Sequence, residues 1–108
     1  MAAMGVVSRM AARGRMLFIS GSTEEPANDI RQQTQRLLAH FDEVLASVGI
    51  DKSKLLTAGV ALSDMALLPE LDAAWNQWVD PQHPPLRVCR VAVLDSGSLV
   101  EIEVTAAK

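Results

Sequence analysis

The sequence contains no tyrosine and only 4% aromatic residues, which removes the stacking platforms on which single-stranded nucleic acids are held. Its single cysteine, Cys89, excludes an intrachain disulfide and fits a reducing compartment. Acidic side chains outnumber basic ones, for a net charge of −3, so the basic field of a nucleic-acid or anionic-membrane binder is missing. No uncharged apolar run approaches the roughly 18 residues of a membrane span. No phosphate loop, Cys/His metal spacing or Ser-His-Asp order stands out either. What remains is a chain of 108 residues, 49% hydrophobic, with enough apolar material for one core. Residues 1–108 are therefore read as a single soluble domain, and a cytoplasmic one by default. The first 21 residues carry Arg9, Arg13 and Arg15 without an acid, as transit peptides do, but they read better as a hairpin.

That hairpin comprises Val6 to Ala12 and Met16 to Gly21 around Arg13-Gly14-Arg15. The second strand is almost wholly apolar and is expected inside the sheet. It ends at Ser20-Gly21-Ser22, where a missing Cβ lets backbone N–H groups approach a ligand, or where the chain simply turns. A helix follows, capped by Asn28 or Asp29 and ending near Val48 before Gly49. Its apolar stripe is Ile30, Thr34, Leu37, Leu38, Phe41, Val44, Leu45 and Val48. His40 lies off the stripe, as a solvated surface histidine does. Lys54 to Asp64 reads as a strand, Leu56, Ala58, Val60 and Leu62 alternating with Thr57, Gly59, Ala61 and Ser63. Gly59 points to a bulge or to close approach of another backbone. Ser63 or Asp64 opens the next turn, and Pro69 suits the start of a second helix whose stripe is Leu71, Ala74, Trp75, Trp78 and Val79. Both tryptophans are expected in the core. The Pro-rich loop Asp80 to Pro85 carries His83, a loop residue or a ligand contact.

The end of the chain is the most informative stretch. Leu86 to Leu94 and Leu99 to Ala107 are rich in Val, Ile and Leu, and Asp95-Ser96-Gly97-Ser98 between them predicts an antiparallel hairpin. Val100, Ile102 and Val104 alternate with Glu101, Glu103 and Thr105. On the preceding strand Leu86, Val88, Ala92 and Leu94 are expected on the core side, with Arg87, Cys89, Val91 and Val93 opposite. A four-residue loop puts Arg87 and Glu101 on opposite faces; a three-residue loop with Gly97 left-handed puts them on one face, and the glycine argues for this second register. Even then four strand residues, roughly 13 Å, separate Glu101 from the residue opposite Arg87. One small ligand reaches both only if Arg87 comes from one subunit and Glu101 from another. A sheet apolar on both faces needs a second cover, and another copy of the chain is the simplest. Cys89 reads either as a reactive thiol or as a small inert hydrophobe.

Phe18-Ile19-Ser20-Gly21, the helix start Asp29 to Thr34, Leu62-Ser63-Asp64-Met65, His83-Pro84-Pro85-Leu86-Arg87 and Leu99 to Val104, in this order and spacing, resemble the RidA/YjgF family. Ala74 to Val79 and the His-Pro-Pro-Leu-Arg run look closest to its short YoaB-like branch. The resemblance implies an α+β, chorismate-mutase-like fold: a mixed, mainly antiparallel sheet with two helices packed on one face, assembled as a homotrimer with clefts between subunits. It implies hydrolysis of 2-imino acids such as 2-iminopropanoate and 2-iminobutanoate to 2-oxo acids and ammonia, with no cofactor and no metal. Carried onto this chain, the arginine that holds the substrate carboxylate falls on Arg87, the glutamate beside the imine and water on Glu101, and backbone contacts near Ser20, Gly21 and Cys89. Two positions depart from the deaminase pattern. Val7 stands where the deaminases have a tyrosine, and Asp72 on the second helix where they have an asparagine; its charge disfavours an anionic substrate if it lines the cleft. A trimeric protein that binds or senses a small carboxylate without catalysis is the rival reading, and an arginine that merely ties the trimer together is the plainest one. The RNA-cleaving or translation-inhibiting activity attached to some members finds little support in an acidic chain.

Overall fold

A computed structural model describes residues 5–23, 29–95 and 97–108. Five strands form one sheet in the order β1-β2-β5-β3-β4, with β1 Val6–Arg13, β2 Met16–Thr23, β3 Leu55–Leu62, β4 Leu86–Val91 and β5 Val100–Ala107. All neighbours are antiparallel except β3 and β4, which run parallel. Helices α1 (Ile30–Ser47) and α2 (Leu68–Trp78) complete an α+β domain.

The local signals explain most boundaries. Gly14, at φ +57°, turns β1 into β2, and β2 runs on to Thr23, two residues past the expected end at Gly21. Of the two candidate caps for α1, Asn28 lies outside the described residues and Asp29 is the cap. Its carboxylate accepts from the Gln32 N–H at 2.8 Å while the Gln32 side chain accepts from the Asp29 N–H at 3.0 Å, a reciprocal box that satisfies two end-of-helix donors. Helix α1 stops at Val48 before left-handed Gly49. Asp64 caps a 3₁₀ turn, Met65–Leu67, that leads into α2, where Pro69 occupies the first helical turn.

The core lies between the helices and one face of the sheet. Leu37, Phe41 and Leu45 of α1 and Leu71 and Trp75 of α2 pack with Leu17 and Ile19 of β2, Val60 and Leu62 of β3, and Val100, Ile102 and Val104 of β5. Trp78 is half-buried, 5.4 Å from Trp75 between ring centroids, and its Nε1–H donates to Asp42 at 3.0 Å. The expected alternation of β3 is shifted at its start by an irregularity between Leu55 and Thr57. Leu55 is buried and Leu56 is exposed, after which Ala58, Val60 and Leu62 point inward. The bulge is thus not at Gly59. There the close neighbour is a side chain, since a Cβ on Gly59 would stand 3.1 Å from an oxygen of Glu103.

Two expectations at the C-terminal end are overturned. Strands β4 and β5 are not a hairpin, because β3 lies between them. Helix α2 carries the chain from β3 to a parallel edge strand, as a βαβ unit must, and β5 then lies on the other side of β3, at the centre of the sheet. The two faces of β4 are also exchanged: Leu86 and Val88 are 71% and 59% exposed, while Arg87 and Cys89 turn toward the helices. Among the described residues no helix is long and apolar enough to cross a membrane.

Candidate functional site

Arg87 lies on β4 opposite Ala58 of β3. Ala58 is buried on the helix-covered side, and its small side chain leaves width there for a guanidinium. Helix α2 supplies the neighbours, for Asp72 and Trp75 are three residues apart and so share one face. The Arg87 Nη2 donates to Asp72 Oδ1 at 2.6 Å, and the guanidinium carbon stands 5.5 Å from the Trp75 ring centroid. The Arg87 and Asp72 side chains are 24% and 38% exposed, so the pair is neither dry nor free in solvent. Nη1 is buried and has no hydrogen-bond partner among the described residues. Asp72, which the resemblance sets at the asparagine position of the second helix, thus stands beside Arg87 as its ion-pair partner. The sequence signal was the Asp72/Trp75 spacing on the helix that returns the chain to β4.

Cys89 follows two residues later on the same side, opposite Val60, and is half-buried at the margin of the core. Burial pushes its thiol above the ordinary range. The Arg87 charge opposes that shift and the Asp72 charge adds to it.

Glu101 faces the other way. On β5 it lies opposite Ser22 of β2 and Ala61 of β3, and it is exposed on the sheet face that no helix covers. A depression of about 230 Å³ opens there, lined by Ser20, Gly21, Ser22 and Glu101 together with Arg9 and Arg90. Gly59 and Ala61, with little or no side chain, leave space at its floor. Arg9 lies opposite Ser20, and Arg90 lies across Ala61 from Glu101. Gly21 lines this depression while its missing side chain serves the opposite face: a Cβ there would stand 3.2 Å from Leu37 Cδ2 and 3.4 Å from Phe41 Cε1. Val7, opposite Ser22, adds an exposed apolar side chain at the rim.

The register settles how the two charged groups relate. Arg87 aligns with Ala58 and Glu101 with Ala61, three residues apart on β3, so they project from opposite faces and not from one. Arg87 and Asp72 are brought together, with Cys89 beside them. Ser20, Gly21 and Glu101 are brought together around the open-face depression. The two groups are on opposite sides of the sheet. His83 joins neither by any described contact; its Nδ1 is 3.2 Å from Asp80 Oδ2. His40 Nε2 bonds to Ser8 Oγ at 2.7 Å. Among the described residues no group of three or more His, Cys, Asp or Glu side chains is arranged to hold a metal ion.

Gln33 went unmarked in the sequence, yet it organises the return to β5. Fully buried on the α1 stripe, it donates from Nε2 to the Gly97 carbonyl at 2.9 Å and accepts from the Leu99 N–H at 2.9 Å. A glutamine on an otherwise apolar stripe was the available signal.

Fold and site together define a class: a small α+β domain with an ion-paired arginine beneath its helices and a glutamate-lined depression on its open face. The chain belongs to the family described as Endoribonuclease L-PSP, whose model matches residues 1–108, the RidA/YjgF group that the motifs resemble. It is 36% identical to a RutC family protein of Haemophilus ducreyi, over 93% of this chain and 87% of that protein. RutC family protein YoaB of Escherichia coli strain K12 is 31% identical, over 93% of this chain and 89% of its own length. The 2-iminobutanoate/2-iminopropanoate deaminase of Bos taurus is 27% identical, over 97% of this chain and 82% of that protein. A crystal structure from Salmonella typhimurium, 31% identical, superposes with a TM-score of 0.89 and covers 97% of this chain and 99% of that one.

Proposed function

We propose that the chain assembles as a homotrimer and hydrolyses small 2-imino acids to 2-oxo acids and ammonia, at clefts where Arg87 of one subunit meets Glu101 of the next. The observation that carries this reading is the opposed orientation of the two groups: a site using both requires two chains. The bovine relative, named a 2-iminobutanoate/2-iminopropanoate deaminase, supports the reaction class.

In this reading Arg87 holds the substrate carboxylate, since a planar guanidinium presents parallel N–H donors to it. The Arg87 side chain is about a quarter exposed, which leaves part of the guanidinium open to such a ligand. Glu101 orients a water and accepts its proton as the oxygen adds to the C=N carbon. The carbinolamine then collapses, the nitrogen leaves as ammonia, and the C=O of the 2-oxo acid forms. Ser20 and Gly21 border the space beside Glu101.

The Arg87–Asp72 ion pair favours a second reading, a trimer that binds a small carboxylate and catalyses nothing. An arginine already engaged at 2.6 Å is a weaker grip than a free one. Val7 offers no hydroxyl at the rim where the family deaminases have a tyrosine, which points the same way. The decay of freshly generated 2-iminopropanoate, followed without protein, with the wild type and with Arg87→Ala, separates the two. The deaminase reading expects acceleration by the wild type alone, with the variant at the uncatalysed rate. An intact trimer that leaves the decay unchanged overturns the deaminase reading, and a carboxylate-binding screen then tests the second.

A further inference from the structure

Arg87 and Asp72 form a pair whose summed charge is zero, and that fact bears on which ligand the arginine accepts. A carboxylate that reaches the guanidinium shares it with the Asp72 carboxylate, 2.6 Å from Nη2. A ligand that is only an anion thus brings a second negative charge beside Asp72. A ligand that carries a positive nitrogen one carbon away from its carboxylate brings a charge of each sign to a pair with a charge of each sign. Trp75 holds the guanidinium from the side, 5.5 Å away at the ring centroid, so the cation does not readily swing clear of Asp72.

We propose that Asp72 is a specificity-determining residue that makes the site prefer zwitterionic 2-imino or 2-amino acids, with a protonated nitrogen next to the carboxylate, over 2-oxo acid monoanions. The inference rests on the carboxylate-holding role given to Arg87 above and deepens it. Hydrolysis converts a protonated 2-imino acid into a 2-oxo acid of the same skeleton, exchanging the positive nitrogen for a neutral oxygen. Asp72 then attracts the reactant and repels the product, so release of the 2-oxo acid is favoured by a residue that takes no part in the bond changes. Like charges about 5 Å apart at a half-exposed site, with an effective dielectric near that of other surface pairs, support about a tenfold discrimination after solvent screening.

Calorimetric titration of the intact assembly with L-alanine and with pyruvate tests this, because the two share a carbon skeleton and differ in the charged nitrogen. The wild type is expected to bind L-alanine more tightly than pyruvate. Asp72→Asn keeps the size of the side chain and an oxygen that accepts from Nη2, and it is expected to shift the ratio of the two dissociation constants about tenfold toward pyruvate. Arg87→Ala is expected to abolish binding of both, and matching circular dichroism spectra confirm that each variant is folded. If Asp72→Asn leaves the ratio unchanged while Arg87→Ala still removes both ligands, the selective role of Asp72 is wrong and the carboxylate site stands. If neither probe binds the wild type, or Arg87→Ala changes nothing, the carboxylate site is wrong and the selectivity falls with it.

Discussion

Cys89 shows how one residue takes its chemistry from its surroundings. In the sequence it had two readings, reactive thiol or inert hydrophobe, and burial favours the second because the nucleophile is the thiolate and a raised pKa keeps the thiol protonated. Alkylation by iodoacetamide at pH 8 should therefore be slower than for free cysteine. The rate should keep climbing with pH beyond the point where an ordinary thiol has levelled off. A rate equal to that of free cysteine at pH 8 would mean that the thiol is ordinary. The linkage has a definite sign: the unfolded thiol ionises first, so above the ordinary thiol range the unfolded state gains relative to the fold as pH rises. Arg87 and Asp72 belong at this scale too. Arg87 was legible as a charged group in an apolar strand and Asp72 only through the family resemblance, and their pairing was not legible, because nothing in one sequence says which helix residue stands over which strand residue.

Among the elements, α1 was the most legible: its cap box, its stripe and its glycine stop all follow from residue type and spacing. Strand β5 was equally plain, since Val100, Ile102, Val104 and Ala106 are all buried and the residues between them are not. Strand β4 misled for a physical reason. As an edge strand beneath the margin of α2, it puts Arg87 and Cys89 inward and leaves Leu86 and Val88 uncovered, so the more apolar side is not the core side. The hairpin expectation failed with it, because a short polar connection says that two strands are near in sequence and not that they are hydrogen-bonded neighbours. What fixes the actual return path includes the Gln33 clamp, a buried amide bonded to Gly97 and Leu99 across more than sixty residues of chain. Gln33→Leu leaves the half-buried Gly97 carbonyl and Leu99 N–H without those partners and should lower stability by about 1 kcal/mol. Urea unfolding measures it, and an unchanged midpoint would mean that the clamp is replaceable by water.

On the scale of the whole molecule, one face of the sheet is covered by helices and the other is not. The uncovered face carries Val7, Phe18, Leu86 and Val88, between 44% and 71% exposed, around a polar middle of Ser20, Ser22, Glu101 and Glu103. Sedimentation equilibrium on the wild type should give a mass three times that of the 11.7 kDa chain. Val88→Glu puts a charge into that face without touching the core, so it should yield folded monomers that have lost imine turnover. A wild type that sediments as a stable monomer would remove the shared cleft altogether.

The hairpin β1–β2 and the unit β3–α2–β4 share no ladder with each other, and β5, last of the five strands in the chain, joins them by pairing with both. A ribosome that has released only the residues through Val91 has delivered two separate pieces of sheet, and the keystone between them is still to come.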